Sequence, residues 1–409
     1  MSRSKVIVGL DIGTTKVACV VGEVDQDGID ILGMGAHPHK GILKGVAIDT
    51  GSTIGSIRKA VEEARIQSKC AVHSVYVGIT GGHVKSMMSH GVSAIRSGVV
   101  AEKDIDRVME AAAAVVIPRD REVIHVLPSE YILDEAIEKE PLNQSGIRLE
   151  VNCHVVTALS ASIDNLLHCC NEAGLDVDGV VFEPLASAYS VLMPSEKNGG
   201  VALLDIGGGT SDLIIMREGS VMYSKVFGLG GNHVTDDIVR ALDIPDFHRA
   251  EQLKKKYGVA SIDLAEERVV ELPVMNGNEA VAVPHRILAK IIQRRMESIF
   301  RHVNQDLISS GFGIEAERGI VLTGGTCLMP GTELLARRVF GKSVRVGSPA
   351  GIGGRIQDIA SPIYATAVGL VIHGANQQVH GIERSGPFKG RPRWDDMIQK
   401  LKGWFAELL

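Results

Sequence analysis

The sequence predicts an α/β fold of two related halves, each opening on the same β-hairpin and each carrying an inserted subdomain. The first observation behind this is an internal repeat. Residues 6–22 read VIVGLDIGTTKVACVVG and residues 201–219 read VALLDIGGGTSDLIIMREG. Each contains an apolar strand, Asp-Ile-Gly, a small polar turn and a second strand. Asp11 and Asp205 stand about half the chain apart, the spacing that a duplication leaves. The second observation is that strand and helix patterns alternate over most of the chain, as in mixed α/β architecture. The third is length, since 409 residues exceed one ordinary core.

In chain order, residues 52–68 (STIGSIRKAVEEARIQS) put Ile57, Ala60, Val61 and Ala64 on one face and predict an amphipathic helix. Residues 74–80 predict a buried strand. Residues 84–158 hold several short strands, one helix over 102–115 and the polar stretch EAIEKEPLNQSG. They read as a small domain inserted into the first half. A helix over 160–173 ends at Gly174. VDGVVFEP is a strand ending at Glu183-Pro184. Residues 229–305 read as the corresponding insertion in the second half. Residues 319–326 (GIVLTGGT) are a strand running into Gly324-Gly325, with a helix opening near Pro330. Residues 375–393 (ANQQVHGIERSGPFKGRPR) lack periodicity and predict a flexible linker.

Apolar residues make up 45% of the chain and charged ones 22%, which suits large cores under an ordinary soluble surface. The net charge of -6 argues against a nucleic-acid partner. Six cysteines are scattered without CxxC or His/Cys ligand spacing, so free buried thiols are expected rather than a zinc site. The opening MSRSKVIVGLDIG has too short an apolar run for a signal peptide. No stretch reaches the roughly 18 apolar residues of a spanning helix. The chain is therefore expected in the cytoplasm, with any membrane contact peripheral.

The two Asp-Ile-Gly hairpins are candidate phosphate loops. Backbone amides approach a triphosphate closely only where side chains are out of the way, and glycine permits this. The first loop supplies Gly13, Thr14, Thr15 and Lys16; the second supplies Gly207, Gly208, Gly209 and Thr210. Facing each other, they would grip the β- and γ-phosphates from both sides as nests of donors. Asp11 and Asp205, at the strand ends, suit a hydrated Mg2+ that keeps most of its waters. Lys16 would neutralise phosphate charge. Either hairpin alone is more often an ordinary tight turn; the pair is what points to a ligand. Gly324 and Gly325 are a third glycine element that suits an adenine and ribose beside a helix N-terminus. Neither GxxxxGK[ST] nor a GxGxxG after a strand occurs, against P-loop and Rossmann sites.

Five stretches, in order, resemble the actin, sugar-kinase and DnaK-type chaperone superfamily. They are LDIGTTK (10–16), GVVFEPLASAY (179–189), LDIGGGTSD (204–212), VLTGG (321–325) and SPIYATAVGL (361–370). Within it the chain is similar to the FtsA family of bacterial division proteins, through GLDIGTTKVACVVGE, GILKGVAID (41–49), GITGGHV (78–84) and FGLGGNHVTDDI (227–238). The resemblance implies an actin-like ATPase fold with ATP and Mg2+ as ligands. Its subdomains would be IA (1–83 and 159–198), IC (84–158), IIA (199–228 and 306–374) and IIB (229–305). It implies actin-like protofilaments, FtsZ tail binding through IIB and later division proteins on IC. It also implies a catalytic place for Glu183 near the attacking water, where a structural hydrogen bond is the alternative. Asn232 and His233 are expected at the N-cap and first turn of the helix after the second hairpin, near the ribose. Hydrolysis is expected to be slow.

Residues 394–409 (WDDMIQKLKGWFAELL) carry Trp394, Met397, Ile398, Leu401, Trp404, Phe405, Leu408 and Leu409 on one stripe at helical period. A sixteen-residue helix is about 24 Å long, and its polar face forbids spanning. Trp favours the headgroup region, and Lys389, Arg391, Arg393, Lys400 and Lys402 would attract anionic lipid. The pattern also fits a helix docked on the protein's own core. The preceding linker and the family resemblance, which includes a membrane helix, favour lipid. A PilM-like pilus adaptor of the same fold is the alternative function, and the amphipathic tail speaks against it. A small-molecule kinase is a third reading, for which the sequence holds no substrate-base motif.

Overall fold

The computed structural model describes residues 5–379, apart from 26–27, 40–41, 44–45, 48, 245 and 273–280. The expected membrane helix and most of the linker lie outside these residues. Each half is built on one sheet with the same plan. In the first, strands Lys5–Ile12, Lys16–Val24 and Ile29–Pro38 form an antiparallel meander. Ser74–Ile79 and then Asp176–Phe182 add in parallel beside the first strand. In the second, Val201–Ile206, Ser211–Arg217 and Ser220–Phe227 form the meander, and Ile320–Thr323 and Val344–Val346 add in parallel. The short strand Gly353–Gly354 of the second half pairs with Ile29–Pro38 of the first.

The expected helix over 52–68 is Thr50–Ser68, started by Asp49, whose Oδ1 accepts from Ser52 N–H at 3.0 Å. Its buried face holds Ile57, Ala60 and Ala64, with Val61 only half-buried. The helix over 160–173 is Ser160–Glu172, and Gly174 ends it at φ +89°. The helix expected over 102–115 stops at Ala113, just before Val115, Val116, Ile117 and Pro118, residues that leave a helix easily.

The first insertion has its own core. Strands Lys85–Ala94, Arg148–Leu159, Arg121–Leu133 and Ala136–Glu138 form an antiparallel sheet, and helix Glu102–Ala113 covers it with Val108, Met109 and Ala112. Three of these strands are long rather than short. The second insertion is not separate in this way. Helices Gly231–Leu242, Phe247–Tyr257 and His285–Ser309 share one core with the second sheet. The expected boundary at 305/306 falls inside His285–Ser309, because that helix is apolar along one face past the boundary, through Val303 and Leu307.

Two helices join the halves, Glu183–Val191 and Ala365–Val379. They pack so closely that a methyl on Gly369 would strike the Ala186 carbonyl. Ala365–Val379 continues past the expected linker start at 375. Ala375 is buried, so burial extends the helix where the sequence reads as linker.

Candidate functional site

The two hairpins close by one local rule. Gly13 N–H donates to the Lys16 carbonyl at 2.9 Å, and Gly207 N–H to the Thr210 carbonyl at 3.0 Å. Asp11 and Asp205 stand next to last in their strands in the same register, paired with Ala18 and Asp212. The fold then sets the turns face to face. A methyl on Gly208 would strike Thr15, and one on Gly209 would lie 2.6 Å from Thr14 Oγ1. Only glycine permits this approach.

Around them lies a cleft of about 660 Å³. Asp11, Gly13, Thr14, Thr15, Lys16, Glu183, Asp205, Gly207, Gly208, Thr210, Asn232, Gly324 and Gly325 all line it, while Gly209 does not. The second turn is held from behind. Gly231 N–H donates to the Gly207 carbonyl at 2.9 Å, Asn232 N–H to the Gly208 carbonyl at 2.8 Å, and Thr326 Oγ1 to the Gly207 carbonyl at 2.9 Å. Engaging those carbonyls elsewhere removes acceptors that would repel an anion. Gly230 is the N-cap of this helix and Asn232 sits inside its first turn, a correction to the expected cap. The turn's own carbonyls satisfy the first helical amides, so no side-chain cap is needed.

Four carboxyls gather on the floor of the cleft. Asp205 Oδ2 accepts from Ser187 Oγ at 2.8 Å and Thr366 Oγ1 at 3.4 Å, one from each connecting helix. Asp212 Oδ2 accepts from Thr80 Oγ1 at 2.8 Å, which ties the two halves together. Asp11 Oδ2 pairs with Lys16 Nζ at 3.1 Å, and Lys16 lies 5.4 Å from the Tyr364 ring centre. Glu183 opens helix Glu183–Val191, since its strand ends at Phe182 rather than at Glu183-Pro184. Pro184 has no N–H to lose at that first turn. Burial pushes the Glu183 carboxyl well up, and Asp11, Asp212 and Asp205 push it further. Burial raises Asp205 to about 6, with Asp11 adding and Ser187 opposing. Asp212 is pushed well up by burial and by Asp205. The floor is short of positive charge, which suits a cation. Among the described residues no three His, Cys, Asp or Glu side chains converge to chelate a bare ion. The fit is to a hydrated one.

The sequence reading misses several residues that line the cleft. Lys254 is buried, donating to the Gly231 carbonyl and to Thr235 Oγ1, each at 2.9 Å, and it pairs with Glu251 at 2.6 Å. Burial lowers its pKa against the pull of Glu251. In sequence, Glu251, Lys254 and Lys255 look like a solvated i, i+3, i+4 ion-pair face. Thr80, Asp212 and Tyr364 fall inside matched stretches of the sequence, but their places in the cleft are not assigned there.

A repeated meander in each half, joined by crossing helices over one cleft, is the plan of the actin-like ATPases. Solved structures share it. A chain of the PilM-PilN type IV pilus biogenesis complex superposes with a TM-score of 0.67 at 17% identity, over 90% of this chain and 98% of that one. MreB5 of Spiroplasma citri bound to ADP gives 0.55 at 15% identity, over 90% and 95%. The chain belongs to the FtsA family of bacterial cell division proteins. The family model for cell division protein FtsA matches residues 202–369, and that for the SHS2 domain inserted in FtsA matches 81–157. Cell division protein FtsA of Pseudomonas aeruginosa is 40% identical over 99% of this chain and 98% of its own length. That of Escherichia coli is 34% identical over 98% of each. Among the described residues no helix is long and apolar enough to cross a membrane.

Proposed function

We propose that the chain is a membrane-tethered, actin-like filament protein of cell division that binds Mg-ATP in the cleft and links FtsZ to the cytoplasmic face of the inner membrane at the septum. The observation that carries this is the pair of hairpins from two halves facing over one cleft, in a chain of the FtsA family. Gly13, Thr14 and Thr15 and the Gly207–Thr210 turn hold the β- and γ-phosphates. Asn232, Gly324 and Gly325 lie on the nucleoside side, with Glu251 placed to accept from ribose hydroxyls. Asp11 and Asp205 hold a hydrated Mg2+ through its waters, and the ion neutralises phosphate charge. Lys16 then has a phosphate as an alternative partner to Asp11.

Glu183 is the candidate base. It takes a proton only when ionised, and nearby positive charge from Lys16 and a cation favours ionisation. Glu183→Gln keeps the shape and removes the base. It is expected to leave Mg-ATP affinity within about twofold and to slow turnover roughly a hundredfold, within the range of a positioned acid–base group. A phosphate-release assay with unchanged turnover would assign Glu183 a structural role instead.

Family membership supports the rest. Copies of the chain polymerise, the FtsZ tail docks on residues 229–305, later division proteins bind residues 84–158, and residues 394–409 lie in anionic lipid. Purified full chain is expected to bind an FtsZ C-terminal tail peptide and to ignore a pilus-assembly peptide by fluorescence anisotropy. The reverse preference would favour the PilM-like adaptor.

A further inference from the structure

His83 stands in the wall of the cleft without a bonding partner. It is 8% exposed and lines the cavity, yet neither Nδ1 nor Nε2 has a hydrogen-bond partner among the described residues. Leaving buried ring nitrogens unpaired is costly and calls for a cause. Among the described residues five buried side-chain atoms lack such a partner, and three of them belong to His83 and Asp212. The two residues share one stretch of wall, because Thr80, three residues before His83, donates to Asp212 at 2.8 Å. Three of those five atoms thus belong to residues that line the cleft.

The backbone at His83 is pinned. Val84 N–H closes the turn onto the Gly81 carbonyl at 2.9 Å. Arg121 Nη2 donates to the His83 carbonyl at 2.8 Å and to the Thr157 carbonyl at 2.9 Å. Arg121 and Thr157 lie on the root strands of the first insertion, so the backbone that carries the imidazole is held from outside the cleft. Burial, and then the Arg121 charge, lower the His83 pKa. A neutral ring offers one N–H donor and one acceptor. A donor beside a guanidinium matches an anionic oxygen. Thr14 and Thr15 fill the space against Gly208 and Gly209.

Resting on the nucleotide reading of the cleft, we propose that His83 is a ligand for the phosphoryl group at the γ position. Its ring N–H donates to an oxygen that is present with ATP, or with ADP plus free phosphate, and absent with ADP alone. The test is titration calorimetry on the full chain with Mg-ADP, with a Mg-bound non-hydrolysable ATP analogue, and with Mg-ADP plus inorganic phosphate. His83→Phe keeps the volume and removes the hydrogen bond; His83→Gln keeps a donor and serves if the phenylalanine variant misfolds. His83→Phe is expected to bind the analogue about tenfold more weakly, the worth of one hydrogen bond to a charged group, with Mg-ADP affinity within about twofold. His83→Gln is expected to lose less. Loss confined to the phosphate arm would identify free phosphate as the ligand at the same place. Equal affinity in all arms, or equal loss for ADP and the analogue, overturns the assignment. A wild-type chain that binds neither nucleotide overturns the reading of the cleft itself and takes the assignment with it.

Discussion

Asp205→Asn is expected to raise the thermal stability of the ligand-free chain while weakening Mg-ATP binding roughly a hundredfold, the worth of a charge-assisted ligand. The two effects share one cause. Burial holds the Asp205 carboxyl at about 6 instead of its usual 3.8. A carboxyl raised by folding adds stability that is fully present below its unfolded pKa and is lost as pH rises through the folded value. At pH 7.5 the ionised group therefore costs the empty protein up to about 3 kcal/mol, less where the cleft admits water. Asparagine keeps an acceptor for Ser187 and Thr366 and removes that charge. Binding follows the opposite sign, since holding the waters of Mg2+ needs the carboxylate. Wild-type affinity is expected to rise as pH increases through 6, and the variant to show a flatter profile. Calorimetry at pH 5.5 and 7.5, beside melting curves of the empty chain, measures both. An unchanged affinity for Mg-ATP would remove Asp205 from the ligand site.

Removing residues 391–409 is expected to abolish binding to vesicles that contain anionic lipid, while nucleotide binding stays intact. Burying each large apolar side chain is worth about 1.5–3 kcal/mol. Seven or more such residues on one stripe therefore dominate the affinity, with the basic residues adding a part that salt screens. Leu401→Glu with Trp404→Glu in the full-length chain is expected to lose more than a hundredfold by the same figures. Co-sedimentation at low and high salt reads both. A truncated chain that still pellets with vesicles would place the membrane contact elsewhere in the molecule.

Much of the site is legible because its pieces are local. The turns at Gly13 and Gly207 close within three residues, and their shared Asp-Ile-Gly appears as a repeat. Helix starts and stops at Asp49 and Gly174 follow from side chains within a few positions. The errors fall where distant parts meet. The N-cap moves to Gly230 because carbonyls of the second phosphate loop accept the first helical amides. Helix Ala365–Val379 outruns its expected end because its face is buried against the first sheet and the other connecting helix.

Residue identity by itself determined the duplicated hairpins and the family. Those depend on turn chemistry, periodicity and matched motifs along the chain. Tertiary structure alone decided which groups share the cleft. Thr80 meets Asp212 across 132 positions and Thr366 meets Asp205 across 161. Lys254 changes from an apparent surface charge to a buried one. Burial and the distance between like charges set the proton affinity of Glu183, Asp205 and Asp212. Neither quantity exists until the two halves have packed together.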